Sequence, residues 1–259
     1  MNAQSNLIEQ AFVKSGVPYR VFGGMRFYDR KEIKDITSYM AVINNNNDSL
    51  RLRRIINEPK RGIGDSTLSL LDDITRDLGI TYFEAMRNAE SYPVIAKKAP
   101  VLKKTAAIFD DLSDFAENNP LDEFFDRLLE KTGYLEYMKS LGDEGLTRLE
   151  NINELKSTVL SYMNDAEEPS LNGFLEEIAL YTDIDKMDAD TDAVVMMTVH
   201  SAKGLEFNNV FAAGMEDGIF PSGRCFGNDE ELEEERRLAY VAVTRARKKL
   251  YVSSAQQRM

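Results

Sequence analysis

From Tyr28 to the acidic run that begins at Asp185, apolar residues recur with the period of a helix, and on both sides of that block the pattern is that of strands. Ile33, Ile36, Met40 and Ile43 fall on one stripe, as do Leu68, Leu71, Ile74 and Leu78, and later Leu146, Leu149, Ile152, Leu155, Val159 and Met163. Stripes with this spacing face a core. Turn signals at Asn44 to Asp48, Gly62 to Gly64, Pro120 and Glu168 to Ser170 divide the block into roughly seven or eight helices.

Ahead of the block, Ser5 is a good N-cap for a short helix with Leu7, Ile8, Ala11 and Phe12 on one face and Gly16 as its stop. A strand, Tyr19 to Phe22, follows. Behind the block, DKMDADTD from Asp185 to Asp192 alternates its aspartates like a calcium loop but lacks the central glycine and closing glutamate, and reads as a solvated linker. VVMMTV and NVFAAG are continuous apolar runs suited to strands buried on both faces of a parallel sheet. Asp229 to Lys248 reads as a helix, acidic at its start and basic at its end to suit the helix dipole, and Leu250 to Ser254 as a last strand. The expected architecture is an α/β domain interrupted by a large all-helical insertion.

Composition narrows the chemistry. No run approaches the ~20 apolar residues of a membrane span, and no basic start leads into an apolar secretory segment, so a cytoplasmic protein without membrane contact is expected. One cysteine, Cys225, and one histidine, His200, leave too few soft ligands for a zinc site, and no metal site is expected from this chain alone. A net charge of −12 confines any nucleic-acid binding to local patches.

Two stretches carry possible chemistry. TVHSAKGLEFNNVF, from Thr198, runs from one strand through a Lys-Gly turn into another; it has the wrong spacing for a phosphate loop, and no Gly-Lys pair occurs anywhere in the chain. In the terminal helix Arg237, Val241 and Arg245 are four residues apart, so both arginines emerge on one side while Leu238 and Ala242 face the sheet. An arginine held so can reach a phosphate; charge pattern alone leaves equally open a surface helix whose arginines pair with its own glutamates.

TVHSAKGLEF from Thr198 and ERRLAYVAVTRA from Glu235 resemble motifs V and VI of the superfamily 1 DNA helicases of the UvrD, Rep and PcrA type. GMEDGIFP from Gly214, NAQS from Asn2, GGMRFYDRKEIKD from Gly23 and PKRGIG from Pro59 fit the same family, with its PcrA branch the best description. The resemblance implies a RecA-like motor domain, 2A, formed by residues 1–27 and 191–259 and incomplete at its N-terminus, split by a helical insertion, 2B, at residues 28–190. It places the Walker A loop, motif II and motif IV upstream of Met1. Asp122-Glu123 imitates motif II but opens an amphipathic helix after Pro120, as a first-turn dipole pair.

By that resemblance the chain is the C-terminal part of an ATP-dependent 3′ to 5′ helicase of DNA repair or replication. Its cofactor is ATP with Mg2+, whose ligands belong to the N-terminal half. Arg245 is the expected arginine finger on the γ-phosphate, Glu206 accepts from the ribose hydroxyls, and Lys203 and Arg237 complete the nucleotide side. Thr198 and His200 lie toward single-stranded DNA, with a backbone-bonded structural histidine as the alternative for His200. Asn2 and Ser5 sit at a helix N-terminus suited to a phosphate. In RLRRIINEPKRGIG, Arg51, Arg53, Arg54, Lys60 and Arg61 gather against a single acid, Glu58. Lys60, Arg61, Gly62 and Gly64 are expected to hold duplex DNA, with a β-branched residue at Gly64 impairing the backbone approach. Partners are single- and double-stranded DNA, the N-terminal motor domains of the same protein and accessory repair proteins. Alone, these 259 residues are expected to hydrolyse no ATP, and a non-catalytic duplex-binding and regulatory module is the alternative reading. A nuclease-associated helicase subunit would need further domains.

Overall fold

The computed structural model describes residues 5–22, 25–184 and 192–255. In chain order the elements are α1 (Ser5–Lys14), β1 (Tyr19–Phe22), α2 (Lys31–Asn44), α3 (Ser49–Ile55), α4 (Asp65–Leu78), α5 (Tyr82–Arg87) and α6 (Ala99–Asn118). There follow α7 (Leu121–Lys131), α8 (Tyr134–Lys139), α9 (Asp143–Asp165), α10 (Leu171–Ile184), β2 (Val194–Met197), β3 (Phe207–Ala213), α11 (Asp229–Val243) and β4 (Ala246–Ser253). The chain divides into two compact units, Tyr28–Thr182 and the pair of segments Met1–Phe27 and Asp183–Met259. The content is mixed, mostly helical with small parallel sheets. No helix among the described residues is long and apolar enough to cross a membrane. Most of the acidic stretch after α10 lies outside the described residues.

Local chemistry sets the helix ends of the first unit. Asp48 caps α3 by accepting from the Arg51 N–H at 3.0 Å, and Thr81 with Glu84 forms a reciprocal capping box at α5. Gly79, at φ 64°, ends α4 in the left-handed region that glycine favours. Pro120 precedes α7, whose first turn holds Asp122 and Glu123 as a dipole pair. The stripes meet in one core: Ile33, Ile36, Met40, Leu71, Ile152, Leu155 and Val159 are all essentially inaccessible, while Leu78 and Leu146, at the ends of their stripes, stay exposed. Phe109 stacks on Tyr39 with centroids 5.6 Å apart and meets Phe83 edge-on at 5.1 Å, contacts worth ~0.5–1.5 kcal/mol each beyond their burial.

A charged network runs through this apolar core. Asp35, 1% exposed, accepts from Arg54 Nε at 2.7 Å, Lys31 Nζ at 2.9 Å and the Tyr134 hydroxyl at 2.9 Å. Lys31 also reaches Glu58 at 2.7 Å. Arg30 donates to Asn151, which donates in turn to Glu32. Burial alone would raise the Glu58 carboxyl, but hydrogen bonds from Lys31 and Tyr137, with the charges of Lys31 and Arg148, hold it below the usual range. Removing one member of such a network strands a buried charge at a cost of ~3–5 kcal/mol. The DRKEIKD stretch is therefore scaffold: it ties the start of α2 to α3, to the segment after α3, and to α8 and α9.

In the second unit, β1 pairs in parallel with β2, and β3 with β4, as two separate sheets. Three sequence expectations change here. The terminal helix stops at Val243 and the last strand begins at Ala246, so Arg247, Lys248 and Lys249 lie on β4 and not at a helix C-terminus. Pairing of Ala246 with Phe207, continued to Ser253 opposite Ala213, overrides the helical preference of the Arg-Lys-Lys run. Next, the strands are not buried on both faces: Val194 and Val195 are about two-fifths exposed and Phe211 is 72% exposed, because each sheet has two strands among the described residues. Finally, α1 buries Asn6 and Glu9 while Leu7 is exposed, and Ser5 is its first helical residue instead of the residue before it. Leu238 and Ala242 are the buried residues of α11, as expected.

Candidate functional site

The turn after β2 is built around Thr198. Its hydroxyl accepts from the Ser201 N–H at 3.2 Å and lies 3.0 Å from the Ser201 hydroxyl, and its carbonyl accepts from the Ala202 N–H at 3.1 Å. These bonds close a single helical turn with Ala202 buried beneath it and His200 and Lys203 exposed on its outside. Gly204, at φ 87°, reverses the chain into β3. Among the described residues neither His200 nor Lys203 makes a side-chain hydrogen bond.

Arg245 joins this turn to the end of α11. Its Nη1 donates to the Leu205 carbonyl at 2.9 Å, its Nε to the Val241 carbonyl at 3.0 Å and its Nη2 to the Thr244 hydroxyl at 3.0 Å, while its own carbonyl accepts from the Phe207 N–H at 2.9 Å. All three side-chain contacts are to neutral oxygens. Its positive charge is therefore held in place without an ion pair among the described residues. One residue away Glu206 accepts from Arg247 at 2.7 Å, both side chains being more than half exposed.

Thr198, His200, Lys203, Glu206 and Arg245 thus fall on one turn and the helix end fastened to it. Arg237 does not join them. It lies six residues before the end of α11, about 9 Å up the helix axis at 1.5 Å per residue, and pairs with Glu234 at 2.9 Å, as Arg236 does with Glu233. The reading in which the α11 arginines pair with the helix's own glutamates holds for these two and not for Arg245. Ser5 opens α1, and Asn2 lies outside the described residues.

The second candidate lies in the helical unit, between α3 and α4. Asn57 accepts from the Arg61 N–H at 2.8 Å and from the Ile63 N–H at 3.2 Å, and Ile63 is fully buried as the plug of the turn. The Arg61 guanidinium is turned inward. It donates to the Ile55 and Ile56 carbonyls at 3.1 Å, to the Tyr39 hydroxyl at 2.6 Å and to the Thr132 carbonyl at 2.9 Å. It therefore closes the C-terminal ends of α3 and α7, where cations are favoured. Burial lifts the Tyr39 phenol to about 12 against the opposing pull of Arg61, so its hydroxyl serves as donor and acceptor and never as an anion near neutrality. The half-buried Arg61 side chain is thus engaged by neutral oxygens at the two helix ends.

The family model for the UvrD-like helicase C-terminal domain matches residues 1–257. The chain belongs to that family. It is 39% identical to the ATP-dependent DNA helicase PcrA of Bacillus subtilis and 40% identical to DNA helicase II of Haemophilus influenzae, over 99% of its own length in each case. It is 41% identical to PcrA of Staphylococcus aureus over 100% of its length. The chain spans only about a third of those relatives, 36% of each.

In this UvrD-like helicase C-terminal domain the remaining cations of the basic stretch separate by partner. Arg51 pairs with Asp48, Arg53 with Asp72 and Arg54 with Asp35. Lys60 is exposed without a partner among the described residues. Composition missed Lys98, whose Nζ donates to the Gly62 carbonyl at 2.9 Å, and Arg247, the partner of Glu206. The Lys-Lys-Ala-Pro run at Lys97 was a signal for the first; the second needed the register of β3 on β4.

The glycines also separate. Gly62 has φ 78°, whereas Gly64 sits at φ −94°, ψ 179° as N-cap of α4, with open space where a Cβ would point. The special backbone demand lies at Gly62 and not at Gly64. Gly62→Ala is expected to cost ~1–2 kcal/mol and Gly64→Ser within ~0.5 kcal/mol of nothing, since serine is itself a good cap. Urea unfolding of both variants checks this, and equal midpoints would refute it.

Proposed function

We propose that this chain is the C-terminal part of an ATP-dependent DNA helicase that moves 3′ to 5′ along one strand and opens duplex DNA ahead of it, in repair or replication. The α/β unit is then motor domain 2A and the helical unit its insertion 2B. The half-exposed strands support a RecA-like sheet completed by further strands, because parallel sheets are normally covered on both faces and a two-stranded sheet is marginal. The observation that carries the reading is Arg245, a guanidinium held by neutral oxygens against the turn that bears Lys203 and Glu206.

These residues suit a nucleotide. An arginine without a countercharge is available to an anionic γ-phosphate, where ATP supplies a phosphoryl group whose transition-state charge a guanidinium stabilises. Glu206, exposed and acceptor-only, suits ribose hydroxyls, and Arg247 holds its carboxylate in place. Arg237 reaches the nucleotide side only if it leaves Glu234. Mg2+ is held by the N-terminal motor domains, which are the chain's partners within the same protein. Single-stranded DNA is the partner for Thr198, which also shapes the turn, for the exposed His200, and for Ser5 and Asn2. Duplex DNA meets the Gly62–Gly64 turn, with Lys60 as its exposed cation; accessory repair proteins are further partners.

Duplex binding is tested by fluorescence anisotropy of a labelled duplex across a salt series. The chain is expected to bind weakly, without sequence preference, and with affinity falling steeply as salt rises. Lys60→Gln is expected to reduce the slope of log affinity against log salt by about 1. An unchanged slope and affinity would leave the turn as a helix connector and remove duplex DNA from the proposal.

A further inference from the structure

We infer that Lys98 is a second phosphate contact for duplex DNA, delivered to the Gly62–Gly64 turn from the start of a different helix. The inference rests on the reading of that turn as the duplex contact and adds a residue to it. Lys98 precedes α6 as its N-cap residue, 36 positions after Gly62, yet its ammonium lies 2.9 Å from the Gly62 carbonyl. The residue is exposed, and Lys97 beside it is exposed too.

The charges around the turn explain why this lysine matters. The half-buried Arg61 guanidinium is taken up by helix-end carbonyls, and Arg51, Arg53 and Arg54 each face an aspartate. Asp65 stands in the first turn of α4 and offsets the positive end of that helix. The exposed cations at the turn without an acidic partner among the described residues are therefore Lys60 and Lys98. An ammonium has three donors, and the Gly62 carbonyl takes one. The other two are free to meet a phosphate oxygen that approaches the turn, with no rearrangement of the backbone. A lysine anchored by a backbone carbonyl has also lost part of its rotamer freedom before DNA arrives, which lowers the entropy cost of the contact.

The test uses the chain, a labelled duplex and anisotropy between ~50 and ~200 mM salt. Lys98→Gln is expected to weaken binding several-fold at the low end of that range and to reduce the salt slope by about 1, with Lys98→Arg restoring the slope. A merely structural tether to Gly62 would lower the melting temperature of Lys98→Gln and leave the slope unchanged, which would overturn the inference. Lys60→Gln separates the two levels. If it reduces the slope and Lys98→Gln does not, the contribution of Lys98 is refuted and the turn remains the duplex contact. If neither variant changes the slope, or the chain binds no duplex, both readings fall.

Discussion

Arg245→Ala is expected to lower ATP turnover by about 10³-fold or more in a helicase in which these residues replace the matching C-terminal part of Bacillus subtilis PcrA. Nucleotide affinity should change far less, because a finger acts on charge that develops in the transition state. The structure adds a second consequence. Arg245 also fastens the Leu205 carbonyl to the end of α11, so its removal frees the turn that carries Lys203 and Glu206. Loss of those bonds in a half-exposed setting is worth ~1–2 kcal/mol, too little to unfold a domain. Thermal melting therefore separates the two effects, and single-turnover hydrolysis at saturating ATP measures the first. Turnover within a few-fold of the parent chimera would make Arg245 a structural clasp and nothing more.

Arg61→Ala is expected to destabilise the helical unit by ~2–4 kcal/mol, since four acceptors lose a charged donor at once. The affected groups are the Ile55, Ile56 and Thr132 carbonyls and the Tyr39 hydroxyl. For a unit of this size that corresponds to a fall in melting temperature of roughly 5–15 °C. Arg61→Lys should recover only a minor part, because one ammonium cannot span the ends of α3 and α7 as a planar fork does. Duplex affinity should fall in Arg61→Ala through the loosened turn, but the salt slope should stay at its parent value. A slope reduced by about 1 with an unchanged melting temperature would mean that the guanidinium leaves the core to bind phosphate.

Much of this molecule is legible in its sequence. The helical stripes, the breaks at Asn44, Gly62, Pro120 and Glu168, the Tyr19–Phe22 strand and the strand-turn-strand at Thr198 all rest on periodicity and capping, which are satisfied within a few residues of chain. The motif turn and Arg245 were brought together in the sequence by their resemblance to the helicase motifs; spacing and charge pattern alone left Arg245 open between a phosphate and the helix's own glutamates. The boundary between α11 and β4 was not. The Arg-Lys-Lys run is a fair helix former, and only its pairing with a strand some forty residues earlier turned it into β4.

The partners of the basic side chains near the turn were hidden on the same ground. By composition Arg51, Arg53, Arg54, Lys60 and Arg61 are five equivalent cations. Their partners distinguish them: Tyr39 and Thr132 lie 22 and 71 positions from Arg61, Asp35 and Asp72 each lie 19 from Arg54 and Arg53, and the lysine that joins the turn lies 36 beyond Gly62. The sequence by itself determined where helices and strands form and which short runs could carry chemistry, because those follow from neighbours along the chain. Tertiary structure alone decided which cations are engaged by helix ends and which face solvent, because a long charged side chain binds whatever oxygen the folded core brings within its reach.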